Sequence, residues 1–219
     1  MAAILCIETS TTNCSVAIAV DGEIKAIREE NNQQYSHAEK LHVFIEEVLK
    51  EADIDKKQLN AVAVGKGPGS YTGLRIGVSA AKGLCFALDI PLISSLTLEV
   101  LIQQVQCEDC YIIPLLDARR MEVYSAVFNS NKKQIRETQA EILDENSFQE
   151  YLNERKTIFI GDGSNKFESL CQHKNAVFHK EGFPSAANMG FMAEVKYIIS
   201  DIEDVAYFEP YYLKEFVLG

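Results

Sequence analysis

A chain of 219 residues that is 47% hydrophobic and 24% charged, with only 5 prolines and 12 glycines spread along it, is long enough to bury a proper core. Its formal charge of −11, negative in both halves, argues against autonomous RNA binding and asks for a basic partner in any role beside a nucleic acid. The apolar start from Met1 to Ile7 is too short for a signal peptide, and no apolar run is long enough to span a membrane, so a cytoplasmic location is expected.

In chain order, Ala3 to Ile7 and Ser15 to Val20 read as strands around a polar turn. Asp21-Gly22 signals a hairpin into a third strand, Glu23 to Glu29. Ser36-x-x-Glu39 is a capping box, and Leu41, Phe44, Ile45, Val48, Leu49 and Ala52 follow at helical spacing. Ala61 to Val64 is a buried strand, after which Gly65-Lys-Gly-Pro-Gly69 leads into a helix from about Thr72 to Leu88. The same order returns, with strands at Tyr111 to Leu116, Val123 to Phe128 and Ile135 to Ile142, a helix from Ser147 and a strand from Thr157 to Ile160.

The register of the repeat has further support. Glu8 and Asp117 each end the first strand of their half, and Gly65-x-Gly67 and Gly161-x-Gly163 each follow the fourth. The expected fold is therefore α/β: duplicated βββαβα lobes flanking a central cleft, the actin-like (ASKHA, ribonuclease H-like) plan. The lobes are placed at residues 1–96 and 97–219, with the last segment allowed to pack back on the first lobe.

In that plan the strand-end acids face the cleft, and glycine-rich turns bring backbone amides to phosphate. Here Glu8-Thr-Ser-Thr-Thr-Asn13 and Asp117-Ala-Arg-Arg-Met-Glu122 both lack glycine. Glu8, Thr9, Asp117, Arg119 and Arg120 are the candidate phosphate contacts, the arginines through their fixed donor forks. The competing reading has Thr9 to Thr12 satisfying a tight turn through their hydroxyls. Gly65 to Gly73 is neither a Walker loop nor G-x-G-x-x-G, yet its glycines and Pro68 constrain a loop at a helix start, where an anion or a partner carbonyl can bind.

Other chemistry is not signalled. There is no H-E-x-x-H and no G-x-S-x-G. His37 and His42, five apart on one helix, are turned about 140° from each other, and His173 and His179 read as surface residues. The six cysteines are expected to be reduced. Cys107-x-x-Cys110 has ligand spacing, but without a second pair it reads as a loop rather than a zinc site. The helix GLRIGVSAAKGLCFAL carries charge only at Arg75 and Lys82, and Gly73 and Gly77 lie one turn apart, which predicts a face made for another helix. The interface residues expected are Leu41, Phe44, Tyr71, Gly73, Leu74, Gly77, Ala80, Ala81 and Leu84.

The segment Gly67-Pro-Gly-Ser-Tyr-Thr-Gly-Leu-Arg-Ile-Gly77 resembles the hallmark of the TsaB (YeaZ) family. Glu8-Thr-Ser, Cys14-Ser-Val-Ala17, Ser95-Leu-Thr-Leu98, Asp117-Ala-Arg, Glu122-Val-Tyr124, Gly161-x-Gly163 and Pro210-Tyr-Tyr-Leu213 extend the likeness nearly end to end. Glu8 stands where many relatives have Asp, and residues 129–180 carry little that matches. The resemblance implies a non-catalytic partner of TsaD, the related subunit that transfers threonylcarbamoyl to the adenosine beside the tRNA anticodon. It also implies TsaE as a further partner, TsaC as the source of threonylcarbamoyl adenylate, and self-pairing. The isolated chain is expected to need no cofactor or metal, with ATP or ADP bound only at a junction with TsaD and tRNA reached only through the complex. Two alternatives remain: an ATPase or phosphotransferase of the same superfamily, disfavoured by the glycine-free turns, and a glycoprotease-like peptidase, disfavoured by the missing signatures.

Overall fold

A computed structural model describes residues 2–31 and 37–214. The chain forms two compact units, one holding the described residues up to Val100 together with Pro184–Tyr212, the other Leu101–Phe183 with Leu213 and Lys214. The division thus falls at Val100/Leu101 rather than at 96/97, and the chain returns to its first unit at Pro184.

In the first unit β1 (Ala3–Glu8), β2 (Asn13–Val20), β3 (Glu23–Asn31), β4 (Ala61–Gly67) and β5 (Leu92–Leu96) make one sheet in the order β3-β2-β1-β4-β5. β1 runs antiparallel to β2 and parallel to β4, and β4 is parallel to β5. Asp21 and Gly22 take φ of 51° and 78°, the left-handed pair that a two-residue hairpin requires. Successive strand residues point to opposite faces. Leu5, Ile7, Val16, Val62 and Val64 meet α1 (His37–Glu51) and α2 (Tyr71–Leu88) on one face. Ile4, Cys6, Ala17, Ala63 and Ile93 meet Ala186, Met189 and α6 (Gly190–Ile198) on the other. The strands buried on both faces read as unbroken apolar runs for this reason. Ser36, the proposed helix cap, lies outside the described residues.

The second unit repeats the plan. After α3 (Thr97–Ile102), β6 (Tyr111–Asp117), β7 (Glu122–Asn129), β8 (Gln134–Ile142), β9 (Thr157–Ile160) and β10 (Ala176–His179) form a sheet in the order β10-β9-β6-β7-β8. Its helices are short, α4 (Gln149–Glu154) and α5 (Ser164–Glu168). Phe148, Phe159 and Phe167 fill its core, with Phe159 and Phe167 edge to face at 4.8 Å. The repeat is one strand longer than the sequence pattern indicates: β5 and β10 close each sheet, too short in apolar content to be read alone.

One cysteine expectation changes. Cys107 and Cys110 are paired as a disulfide in the loop before β6, their Cα atoms 6.1 Å apart, where the sequence reading expected free thiols. Cys6, Cys14, Cys85 and Cys171 are free and buried. Burial pushes the thiol of Cys6 up to about 12 and those of Cys14 and Cys85 to about 11, so they behave as small apolar groups.

Candidate functional site

The turn after β1 is folded beneath the two helices that follow it. Glu8 and Thr9 are fully buried. The Glu8 carboxylate accepts from the Ser10 amide at 2.7 Å through Oε1, while Oε2 rests on Gly65, where a Cβ would come within 2.2 Å. Burial raises the Glu8 carboxyl above the ordinary range, opposed in part by its hydrogen bonds from Ser10 and Thr9. Thr9 Oγ1 donates to the Gly73 carbonyl at 2.8 Å. The Ser70 amide donates to Ser10 O at 2.7 Å, and His37 Nε2 lies 2.7 Å from the Thr11 carbonyl that accepts from it. Burial lowers the pKa of His37.

This arrangement decides the role of the α2 glycines. A Cβ at Gly73 would sit 2.1 Å from Thr9 O, and one at Gly77 would sit 2.3 Å from Thr9 Oγ1. The small-residue face therefore receives the chain's own turn, not another helix. Leu41, Phe44, Gly73, Leu74, Gly77 and Ala81 are all buried inside the unit, whereas Tyr71, Ala80 and Leu84 are half-buried. Periodicity could not separate the two faces, because α2 is apolar or small nearly all round. Its outward stripe is Thr72, Arg75, Ser79, Gly83, Phe86 and Ala87. Phe86 is 85% exposed, and a Cβ at Gly83 would meet open space. The outward side of α1 carries His42, Val43, Glu46, Glu47 and Lys50.

The loop before α2 is closed from within the same unit. Tyr211 N donates to Lys66 O at 2.7 Å, and Gly67, at φ 111°, packs where a Cβ would stand 2.8 Å from Tyr211 O. Ser70 caps the helix by accepting from Gly73 N at 3.3 Å. Within the Pro210-Tyr-Tyr-Leu213 segment, Tyr211 thus covers this loop, a role no local pattern discloses.

The equivalent turn after β6 is open. Asp117, Arg119 and Arg120 are exposed, and the two arginines sit at φ 70° and 50°. Asp117 Oδ1 accepts from Arg119 N at 2.6 Å and pairs with Lys166 Nζ at 2.7 Å. Asp162 Oδ1 accepts from Asp117 N at 2.8 Å. Burial raises the Asp162 carboxyl, and the negative charge of Asp117 adds to that against the hydrogen bonds it accepts. Of the candidate phosphate contacts, then, the second unit presents Asp117, Arg119 and Arg120 on its surface, while the first holds Glu8 and Thr9 in its interior. Among the described residues no group of three or more His, Cys, Asp and Glu side chains could hold a metal ion. No helix among them is long and apolar enough to cross a membrane.

Two five-stranded mixed sheets of the same order, each with its strand-end acid at a turn, define an actin-like α/β protein built from a duplicated half. Residues 28–212 match the family model described as TsaD: tRNA N6-adenosine threonylcarbamoyltransferase. The tRNA threonylcarbamoyladenosine biosynthesis protein TsaB of Haemophilus influenzae is 30% identical over 225 residues, covering 96% of this chain and 93% of its own. Its counterpart in Bacillus subtilis is 37% identical over 126 residues, 57% of this chain and 54% of that one. A crystal structure of an uncharacterized Pseudomonas aeruginosa protein with similarity to peptidase YEAZ has a TM-score of 0.85 at 24% identity, covering 98% of this chain and 100% of that one, a likeness of fold. The chain belongs to the TsaB (YeaZ) family of tRNA threonylcarbamoyladenosine biosynthesis proteins.

Proposed function

We propose that this chain is a non-catalytic partner subunit that binds TsaD and is required with it for threonylcarbamoyl transfer to the adenosine beside the tRNA anticodon. The observation that carries this reading is the closed turn after β1. Where a phosphotransferase of this fold needs amides and a carboxylate free for phosphate, Glu8 and Thr9 are buried and their hydrogen bonds go to their own chain. The outward stripe of α2, with exposed Phe86 and small Ser79 and Gly83, supports a helix-packed interface with TsaD, flanked by Tyr71, Ala80 and Leu84.

The acidic chain reaches tRNA only through the complex, in the cytoplasm, with TsaE as a further partner. Self-pairing through the same face competes with TsaD. ATP or ADP, if held at the junction with TsaD, meets Asp117, Arg119 and Arg120, which are exposed on the second unit. The test is transfer to tRNA with purified subunits. Modification is expected only when this chain and TsaD are both present, and the chain alone should not hydrolyse ATP at an enzyme-like rate, on the order of one per second. Full transfer by TsaD without this chain, or ATP turnover at that rate by the chain alone, sinks the reading.

A further inference from the structure

Near the start of the outward stripe of α2 an arginine is held between Tyr71 of the same helix and Tyr212 from the end of the unit. The Arg75 guanidinium carbon lies 4.1 Å from the Tyr71 ring centroid. Arg75 Nε donates to the Tyr212 hydroxyl at 3.1 Å, and the two tyrosine rings stand 5.1 Å apart at 38°. Tyr212 is itself positioned by the adjacent hydrogen bond from Tyr211 N to Lys66 O. A surface arginine normally loses rotamer freedom when it binds; this one is exposed yet already oriented, and its bond to Tyr212 is made through Nε.

The rest of the stripe is uncharged. Lys82, the other cation of α2, turns its Nζ to the carbonyls of Ala206 and Phe208 at 3.2 and 2.8 Å. In a chain of net charge −11, the face that offers small residues and Phe86 therefore carries one cation, Arg75, with the exposed carboxylate of Glu209 near enough to act on it, so a partner carboxylate must compete with Glu209 for the guanidinium. Arginine and tyrosine beside an apolar anchor are the composition of binding hot spots.

We propose that Tyr71, Arg75 and Tyr212 form a clamp that receives one carboxylate from a helix of the protein partner, bidentate on the guanidinium edge. Phe86 enters an apolar pocket of that partner roughly 16 Å further along, by the 1.5 Å rise of the helix. The proposal rests on the TsaD reading above and supplies its recognition chemistry: the partner surface carries an Asp or Glu at one end and a hydrophobic recess three turns away.

The test is the affinity of the full chain for purified TsaD, by calorimetry, with and without tRNA. Arg75→Ala is expected to weaken binding at least tenfold with its melting temperature unchanged, and to flatten the salt dependence of the wild type. Tyr212→Phe should weaken it a few-fold, because Arg75 loses its fixing hydrogen bond. Wild-type affinity in Arg75→Ala overturns the clamp. If Arg75→Ala also melts early, Arg75→Lys decides: the charge stays and the planar fork goes, so undiminished binding overturns the clamp and a clear loss supports it. A loss seen only when tRNA is present assigns the arginine to a phosphate and overturns the carboxylate. If the wild type itself does not bind TsaD, the partnership has failed and not merely the clamp.

Discussion

The turn after β1 and the turn after β6 occupy equivalent places in the two halves, yet one is closed and the other open. In the first unit, helices of 15 and 18 residues lie over the sheet, and glycines on α2 leave room for the turn to lodge against them. In the second, the corresponding α4 and α5 have 6 and 5 residues, and the glycines after β9 pack instead on the Leu115 carbonyl, where a Cβ at Gly161 would come within 2.3 Å. The same duplicated plan thus gives a buried acid with a raised pKa at Glu8 and an exposed one, paired with Lys166, at Asp117. What the comparison teaches is that burial of a strand-end acid is set by the helices laid over it and not by the strand that carries it.

The largest expected effect comes from prising the closed turn apart. Gly77→Leu forces a side chain onto Thr9 Oγ1 and should destabilise the protein by about 2–4 kcal/mol, or prevent folding. Gly83→Ala, on the same helix but facing open space, should stabilise by about 0.5–1 kcal/mol. Thermal melts of the two variants check the contrast, and equal melts would show that the glycine face is not what holds the turn.

A smaller effect follows from the proton on Glu8. Because burial raises its folded-state pKa, the associated stability is fully present below the unfolded pKa, near 4.3, and is lost as pH rises through the folded value. Glu8→Gln should therefore melt above the wild type at neutral pH, with the gap closing as the pH falls toward 4. A gap that widens on acidification would mean that Glu8 is held charged. Asp117→Asn, in the open turn, should show no such neutral-pH gain.

The smallest effect is expected in the open turn. Arg120, at φ 50°, is exposed, so Arg120→Gly should relieve left-handed backbone and stabilise by no more than about 1 kcal/mol. A loss of several degrees in the melt would show that the Arg120 side chain holds the turn.

The sequence by itself determined the duplicated order of strands and helices, the hairpin at Asp21-Gly22, the two strand-end acids and the family, since each is written in local periodicity, turn chemistry or contiguous motifs. The reading in which Thr9 to Thr12 satisfy a tight turn through their hydroxyls holds for Thr11, whose Oγ1 accepts from Asn13 N, but Thr9 donates to the distant Gly73 carbonyl and Thr12 to the Asn31 side chain. Only the tertiary structure decided which way α2 faces. A helix apolar or small on nearly every side has no periodic signal to orient it, so Gly73 and Gly77 read as a partner face until Thr9 is found against them. The pairing of Arg75 with Tyr212 was equally hidden, and the return of the last segment, allowed for in the sequence, was fixed at Pro184–Tyr212 only by the structure, because both join residues more than a hundred positions apart. Contacts of that separation depend on where the chain comes back to, and a local reading of composition and spacing carries no information about it.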